Sequence, residues 1–581
     1  MHGYPPKMYD ILCEKGKERG SGMVLTCLSF VIITVVCFLA GFFVRAVSNR
    51  TFHYCITDPI SIIVSGIAFS TVYAELYSLF GGVSLRAFLI LIGFLAGVFL
   101  ALRKSILAYL KDLFHSEGFT GTAVLVLILL AVVSSIASLE PSDYDTYLYH
   151  AQAIRWIETY GSVKGLANLH LRFGYNSAFL CLQALFSFSF TGRSFHEMNG
   201  YICFLMLIYV FTGKTGLFSR PREIKQEIGV SRLLKGAAVF YIAYNIGSIS
   251  SPGTDLFPML LLLYIFSRLL EIQNNLSGED RIIAYGLLCL LAVLIITAKL
   301  SVAPVILLFL YPFISLLKAG RGKELIALIL AAFLVGTPYL IRNVVLTGYL
   351  LYPMEKIDLF DVDWKVPGEL AGADREEIGV YAKALQGFPE KDYSFREWVQ
   401  TWYQDLELVP RILFFISGVL VLYGIYLSLR RILHKQAGLE EFLFAVSLIL
   451  YLYWFFLAPN MRFGIVNLFL VSSLVLGMTE NGEGIRVYLY LTGILLFAVL
   501  AGKADTVLYS HTSLIYPGDY KSFECKEVYY STPTGKQVTI YVPKEGDQAG
   551  PDVFPESPIA NGDYQELRGE DLKEGFRGYA F

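Results

Sequence analysis

Residues 121–156 read GTAVLVLILLAVVSSIASLEPSDYDTYLYHAQAIRW, and the change of character at the middle of this stretch decides the fold. The first half is uncharged and apolar over a length that crosses the hydrocarbon core of a bilayer. The second half brings Asp143, Asp145, His150 and Arg155 in quick succession among tyrosines. A helix that ends at a membrane surface and hands the chain to a polar external loop accounts for both halves.

Working outward, the same apolar texture recurs along most of the 581 residues. Hydrophobic residues make up 55% and charged residues 17%, and the mean hydropathy is +0.55. Runs of spanning length predict about fourteen transmembrane helices, near 23–44, 59–79, 84–102, 120–138, 199–217, 235–251, 256–271, 282–298, 301–317, 323–345, 410–429, 441–457, 463–478 and 486–502. The predicted fold class is therefore an all-α polytopic membrane protein, with the lipid bilayer as a partner. The net charge of −2 points to no nucleic-acid partner. The eight cysteines are scattered without a zinc-like spacing.

Basic residues in short loops set the orientation. Arg220, Arg222, Lys225 and Arg232 form one such group; Lys318, Arg321 and Lys323 form a second; Arg430, Arg431 and Lys435 form a third. Placing these inside leaves the loops at about 139–198 and 346–409 outside, together with the tail 503–581. It also puts Lys7, Lys15, Lys17 and Arg19 outside, against the rule. The apolar stretch 177–192 then reads as a membrane-embedded or surface-lying helix. The segment TYLYHAQAIRWIETY reads as a helix on the membrane surface with its aromatics at the interface. SFREWVQTWYQDLEL reads as amphipathic, and KEVYYSTPTGKQVTIYVPK as a β-hairpin about Pro-Thr-Gly.

The reactive side chains gather at the predicted external face, where charge near the bilayer is costly unless paired or hydrated. Asp143 and Asp145 suit general-base or metal-ligand work, the alternative being N-caps of the helix that follows. Asp255, in SISSPGTDLF, has the same two readings. His150 and His170 suit proton transfer or simple structural hydrogen bonding. Asn168 and Arg172 suit sugar hydroxyls and phosphate, with a salt bridge from Arg172 to one of the two aspartates as the alternative. Lys299, Arg342, Asn343 and Arg462 add polar and basic groups that either neutralise a phosphate or anchor to headgroups.

The order of these features resembles the glycosyltransferase C superfamily, polytopic enzymes that take a sugar from a polyprenyl-phosphate donor and include the protein O-mannosyltransferases and the aminoarabinose transferases of lipid A. The resemblance rests on the helix 120–138 running into DYDTYLYHAQAIRW, on the short helix and following span in YNSAFLCLQALFSFSFTGRSFHEMNGYICFLMLIYVF, on Asp255 in PGTD, and on the RN…TGYLLYP and APNMRF segments. It covers roughly residues 120–480. The Asp-Glu pair usual in that family is replaced by DYD, and three extra helices precede the usual first one.

The resemblance implies a division into additional N-terminal helices (1–119), a catalytic membrane module (120–502) and an external tail (503–581). It implies an inverting glycosyltransferase of a bacterial inner membrane, with its active site on the external face. The donor would be a polyprenyl-phosphate sugar and the acceptor a glycan, lipid or protein of the envelope. Asp145 or Asp143 would be the base. Asp255 would assist through the acceptor or through a divalent metal ion held with Asp145. His150, Asn168, His170, Arg172, Lys299, Arg342, Asn343 and Arg462 would bind substrate. The competing readings are an O-antigen polymerase or ligase, a lipid-linked oligosaccharide transporter, and a scaffold without chemistry; a transporter would place charges near the midplane and show repeats, neither of which the sequence displays.

Overall fold

The computed structural model describes residues 23–213, 215–217, 226–385, 393–479, 482–503, 518–558 and 567–578. Twelve of the described helices are long and apolar enough to cross a membrane: Met23–Phe52, Pro59–Ser78, Leu85–Phe114, Phe119–Ala137, Leu256–Asn275, Gly278–Ala298, Leu300–Lys318, Gly322–Thr347, Leu408–Leu433, Leu439–Leu457, Met461–Met478 and Gly484–Gly502. The fold is an all-α polytopic membrane bundle, because in lipid a spanning helix satisfies its own backbone hydrogen bonds. Its outer surface is apolar: Phe333 is 66% exposed and Leu422 71%, as lipid contact requires.

The two remaining predicted spans come out differently. The 199–217 run is a helix only over Met198–Phe211. It ends where Gly213 takes a left-handed φ of +75°. The 235–251 run is split between the Gln226–Tyr244 helix and a 3₁₀ turn, Ile246–Ser250. Asn245, Gly247 and Ser248 weaken the helix there and carry the chain toward the site. Arg220, Arg222 and Lys225, and all residues before Met23, lie outside the described residues.

Local chemistry sets the ends of several helices. Asp58 caps Pro59–Ser78 by accepting from the Ser61 backbone at 2.8 Å, with Pro59 in the first turn. Ser394 and Glu397 form a capping box ahead of the amphipathic Phe395–Asp405 helix, which buries Trp398 and Trp402. The first two spans cross closely because glycine faces backbone: a Cβ on Gly41 would meet Ile62 O at 1.9 Å, and one on Gly66 would meet Cys37 O at 1.7 Å.

Three expectations about the loops are corrected. The stretch 177–192 forms a helix over Ala178–Leu185 whose eight residues are all buried in protein, so it neither lies on the surface nor touches lipid. The 146–160 segment is a π-turn, Thr146–His150, leading into the Ala151–Thr159 helix. Its Trp156 is fully buried against Phe554 and Phe576, not placed at a membrane interface. The tail does not hang free. Its hairpin, Cys525–Ser531 paired antiparallel with Gln537–Pro543, belongs to a segment that packs over the first loop. Gly518 N donates to Ser138 O at 2.8 Å, Ala549 N to Tyr147 O at 2.7 Å, and Gln152 Nε2 to Gly550 O at 2.6 Å and Val553 O at 2.7 Å. Arg568 holds Asp363 of the second loop at 3.0 Å.

Candidate functional site

Four chain segments converge at one end of the bundle. The Phe119–Ala137 helix delivers Asp143 and Asp145. Asp255 precedes Leu256–Asn275, Lys299 follows Gly278–Ala298, and Arg462 opens Met461–Met478. Asp145 and Asp255 occupy N-cap positions, yet neither side chain caps its helix. Both turn to Arg462, which contacts Asp145 Oδ2 through Nη2 and Asp255 Oδ2 through Nε, each at 2.7 Å. Lys299 pairs with the other oxygen of Asp255 and stacks over the Phe463 ring at 4.6 Å. The capping alternative is thus set aside for both aspartates: their charge is used across the bundle, not along their own helices.

Asp143 differs from its neighbours. Its Oδ1 accepts from the Ser248 hydroxyl at 2.8 Å, and its backbone N–H donates to Ser251 Oγ at 3.1 Å. Among the described residues no cation lies within ion-pair distance of it. It lines a pocket of about 210 Å³ with Asn199, Asn245, Ser248, Asp255 and Arg462. Gly253 keeps the space open, since a Cβ there would stand 3.2 Å from Asp143 Oδ2.

The electrostatics separate the three acids. Burial pushes the Asp143 carboxyl up, and the Ser248 hydroxyl and Arg462 offset this only in part. Burial also raises Asp145, but Arg462 and then His150 outweigh it and leave the carboxyl below its ordinary value. Asp255 falls to about 2, because Arg462 and Lys299 overcome a large burial effect. His150 is 2% exposed and neither ring nitrogen has a partner among the described residues. Burial drives it down to about 4, against the pull of Asp145 and Asp255.

Of the residues singled out in the sequence, Asp143, Asp145, Asp255, Lys299 and Arg462 come together, with His150 behind them. The others do not join them. Arg342 is buried in protein, donating to Asn176 Oδ1 at 3.0 Å and Ser162 Oγ at 2.8 Å, so it neither anchors to headgroups nor faces the pocket. Asn343 donates to Leu350 O and Asn168 to Trp364 O, tying the second loop down. Arg172 pairs with Asp374 at 3.3 Å and Glu377 at 3.2 Å, not with Asp143 or Asp145. His170 packs on Phe173, and burial drives it down to about 3.

The expected metal does not fit this donor set. Among the described residues no group of three His, Cys, Asp or Glu side chains is gathered as a metal site needs. Asp145 and Asp255 share a guanidinium where a divalent ion would have to sit.

The sequence reading passed over Asn199, Asn245 and Ser248. Asn199 stands at the start of an apolar helix, where an asparagine reads as a cap. The broken helix at NIGSISSPG was the one available signal for the other two.

The family described as Domain of unknown function (DUF8201) matches residues 23–469, and the chain belongs to it. No curated protein and no solved structure matches the chain.

Proposed function

We propose that this DUF8201 member is an integral membrane glycosyltransferase. It transfers a sugar from a polyprenyl-phosphate donor to an envelope acceptor, at the bundle end that carries Asp143. The observation that carries the reading is a buried carboxylate without a cation of its own, facing a pocket beside a guanidinium that is already charge-balanced. That is the environment of a base held ready for a proton. The resemblance of the chain to the glycosyltransferase C superfamily supplies the reaction class.

In this scheme Asp143 takes the proton of the acceptor hydroxyl. The oxygen attacks the anomeric carbon opposite the lipid phosphate, the bond to that phosphate breaks with its electron pair, and the configuration inverts. Arg462 and Lys299, whose side chains stay 38% and 21% exposed, offer positive charge at the rim for the departing phosphate. Asp145 and Asp255 hold Arg462 in place. The basic loops about Arg321 and Arg431 sit at the opposite end of the bundle. With those loops inside a bacterial inner membrane, the pocket faces out.

The test compares envelope glycans by mass spectrometry in a deletion strain complemented with wild type, Asp143→Asn or Asp145→Asn. The expected outcome is a sugar lost on deletion and restored by wild type but not by Asp143→Asn. Full restoration by Asp143→Asn removes it as the base, and an unchanged glycan profile on deletion sinks the transferase reading.

A further inference from the structure

The pocket wall offers more hydrogen-bond acceptors than donors. Asn199 is fully buried, and its Nδ2 donates to Ser251 O at 2.7 Å and Gly253 O at 2.8 Å. Those two carbonyls fix the amide's orientation, because turning it over would set its oxygen against both. Its Oδ1 is left in the wall of the pocket with no donor. Across from it, Asp143 spends one oxygen on Ser248 and keeps Oδ2 beside Gly253. Arg462 is the charged donor lining the pocket, and Asp145 and Asp255 already occupy it. Three carboxylates therefore stand against two cations, with two acceptor oxygens still to be satisfied. A buried acceptor left without a donor costs about 1–3 kcal/mol.

We infer that the pocket receives an uncharged, hydroxylated ring edge, with two neighbouring hydroxyls donating to Asp143 Oδ2 and Asn199 Oδ1, and that it rejects phosphate. A phosphate brings only acceptors and negative charge to a wall that already has an excess of both. The inference rests on the transferase reading and deepens it. The pocket is the acceptor's subsite, Asn199 selects for hydroxyls there, and the donor phosphate stays at the rim outside it.

Saturation-transfer NMR on the full-length protein in lipid nanodiscs tests this. The probes are the methyl glycosides of glucose, galactose and mannose, and glucose 1-phosphate at the same concentration. At least one methyl glycoside should give a signal on wild type. That signal should fall about fivefold or more in both Asn199→Ala and Asp143→Asn, the loss expected for one hydrogen bond of about 1 kcal/mol. Asp143→Asn keeps the side-chain shape, so its result stands even if Asn199→Ala does not fold. Glucose 1-phosphate should be silent on wild type and gain signal in Asp143→Asn. A phosphate signal on wild type equal to the best glycoside, no glycoside signal, or a glycoside signal indifferent to Asp143→Asn overturns the inference. Asn199-dependent glycoside binding with an unchanged glycan profile on deletion would sink the transferase reading and spare the subsite. Lost glycan with phosphate seated in the pocket would do the reverse.

Discussion

The Leu256–Asn275 helix carries a charge cluster at each end, and the two are built on opposite principles. Near its far end Glu271 is 1% exposed and fully satisfied. Lys235 lies 2.8 Å from its Oε1, and Thr215, Ser231 and Tyr209 donate to the same oxygen at 2.7, 3.0 and 3.1 Å. Arg268 donates to Oε2 at 2.7 Å. At the near end Asp255 is also fully paired, but Asp143 beside it has a hydroxyl and no cation, and a pocket opens where a partner would stand. Burying ions is therefore not what marks a site. The far cluster is closed and reads as structure; the near one is one partner short and reads as function. The far cluster also corrects the sequence reading, which placed the charges at a single face.

The sharpest way to break the contrast is to neutralise the unpaired acid. Asp143→Asn should lower sugar transfer by about 10²–10⁴-fold, the range for losing a general base. The thermal midpoint should hold steady or rise, because the substitution removes a buried charge that nothing compensates. A large fall in midpoint with proportionate loss of transfer would put Asp143 in the structural class with Glu271. At the far end the prediction inverts. Glu271→Gln leaves Lys235 and Arg268 buried without their acid, which should destabilise by about 3–5 kcal/mol. Thermal unfolding in detergent measures this, and transfer per folded molecule should stay near wild type.

The membrane class and most of the spans were legible because an uncharged apolar run of bilayer length matches the hydrocarbon core in both thickness and polarity. The 199–217 and 235–251 segments were not, since local polar residues at Thr212, Asn245 and Ser248 shorten or bend what hydropathy averages over. In the site, Asp143, Asp145, Asp255, Lys299 and Arg462 could be found because they are charged residues at the ends of apolar runs. Arg342 and Arg172 shared that signature and went elsewhere, and nothing in the sequence distinguishes an arginine paired with Asp374 from one facing a pocket. The Lys235–Glu271 pair escaped notice because the two residues lie on separate helices, each a lone charge amid apolar neighbours.

The paired and unpaired acids should also respond to pH with opposite sign. Asp255 titrates at about 2 when folded, below the roughly 3.9 of an unfolded aspartate. Its contribution to stability is complete above that unfolded value and drains away as pH falls toward 2. The stability gap between wild type and Asp255→Asn should therefore shrink on acidification, by on the order of 2 kcal/mol. Asp143 is raised by burial, so its ionisation costs stability as pH climbs through its folded value. The gap between wild type and Asp143→Asn should move in the variant's favour over that climb. Transfer, which needs the ionised base, should rise over the same interval. Parallel pH responses for the two variants would erase the distinction between the clusters.

The smallest effect concerns what holds the incomplete cluster open. The far cluster sits between packed helices, whereas Asp143 and Asp145 sit on a loop that only the tail segment fixes from above. Tyr147 is the joint between them. Its hydroxyl donates to Pro141 O at 3.0 Å and accepts from Lys521 N at 3.1 Å, while its ring stands between Tyr520 and Phe523. Tyr147→Phe keeps the ring and removes both hydrogen bonds, a loss of about 1 kcal/mol in stability. If the tail merely covers the loop, transfer should fall no further than the folded fraction does. If it positions Asp143, kcat should drop several-fold in fully folded protein, with KM for the lipid donor little changed, because the carboxylate drifts from its proton while the rim cations stay where their helices put them. An unaltered kcat would mean that Ser248 and Ser251 alone fix Asp143, and that the two ends of the bundle differ only in which one lacks a cation.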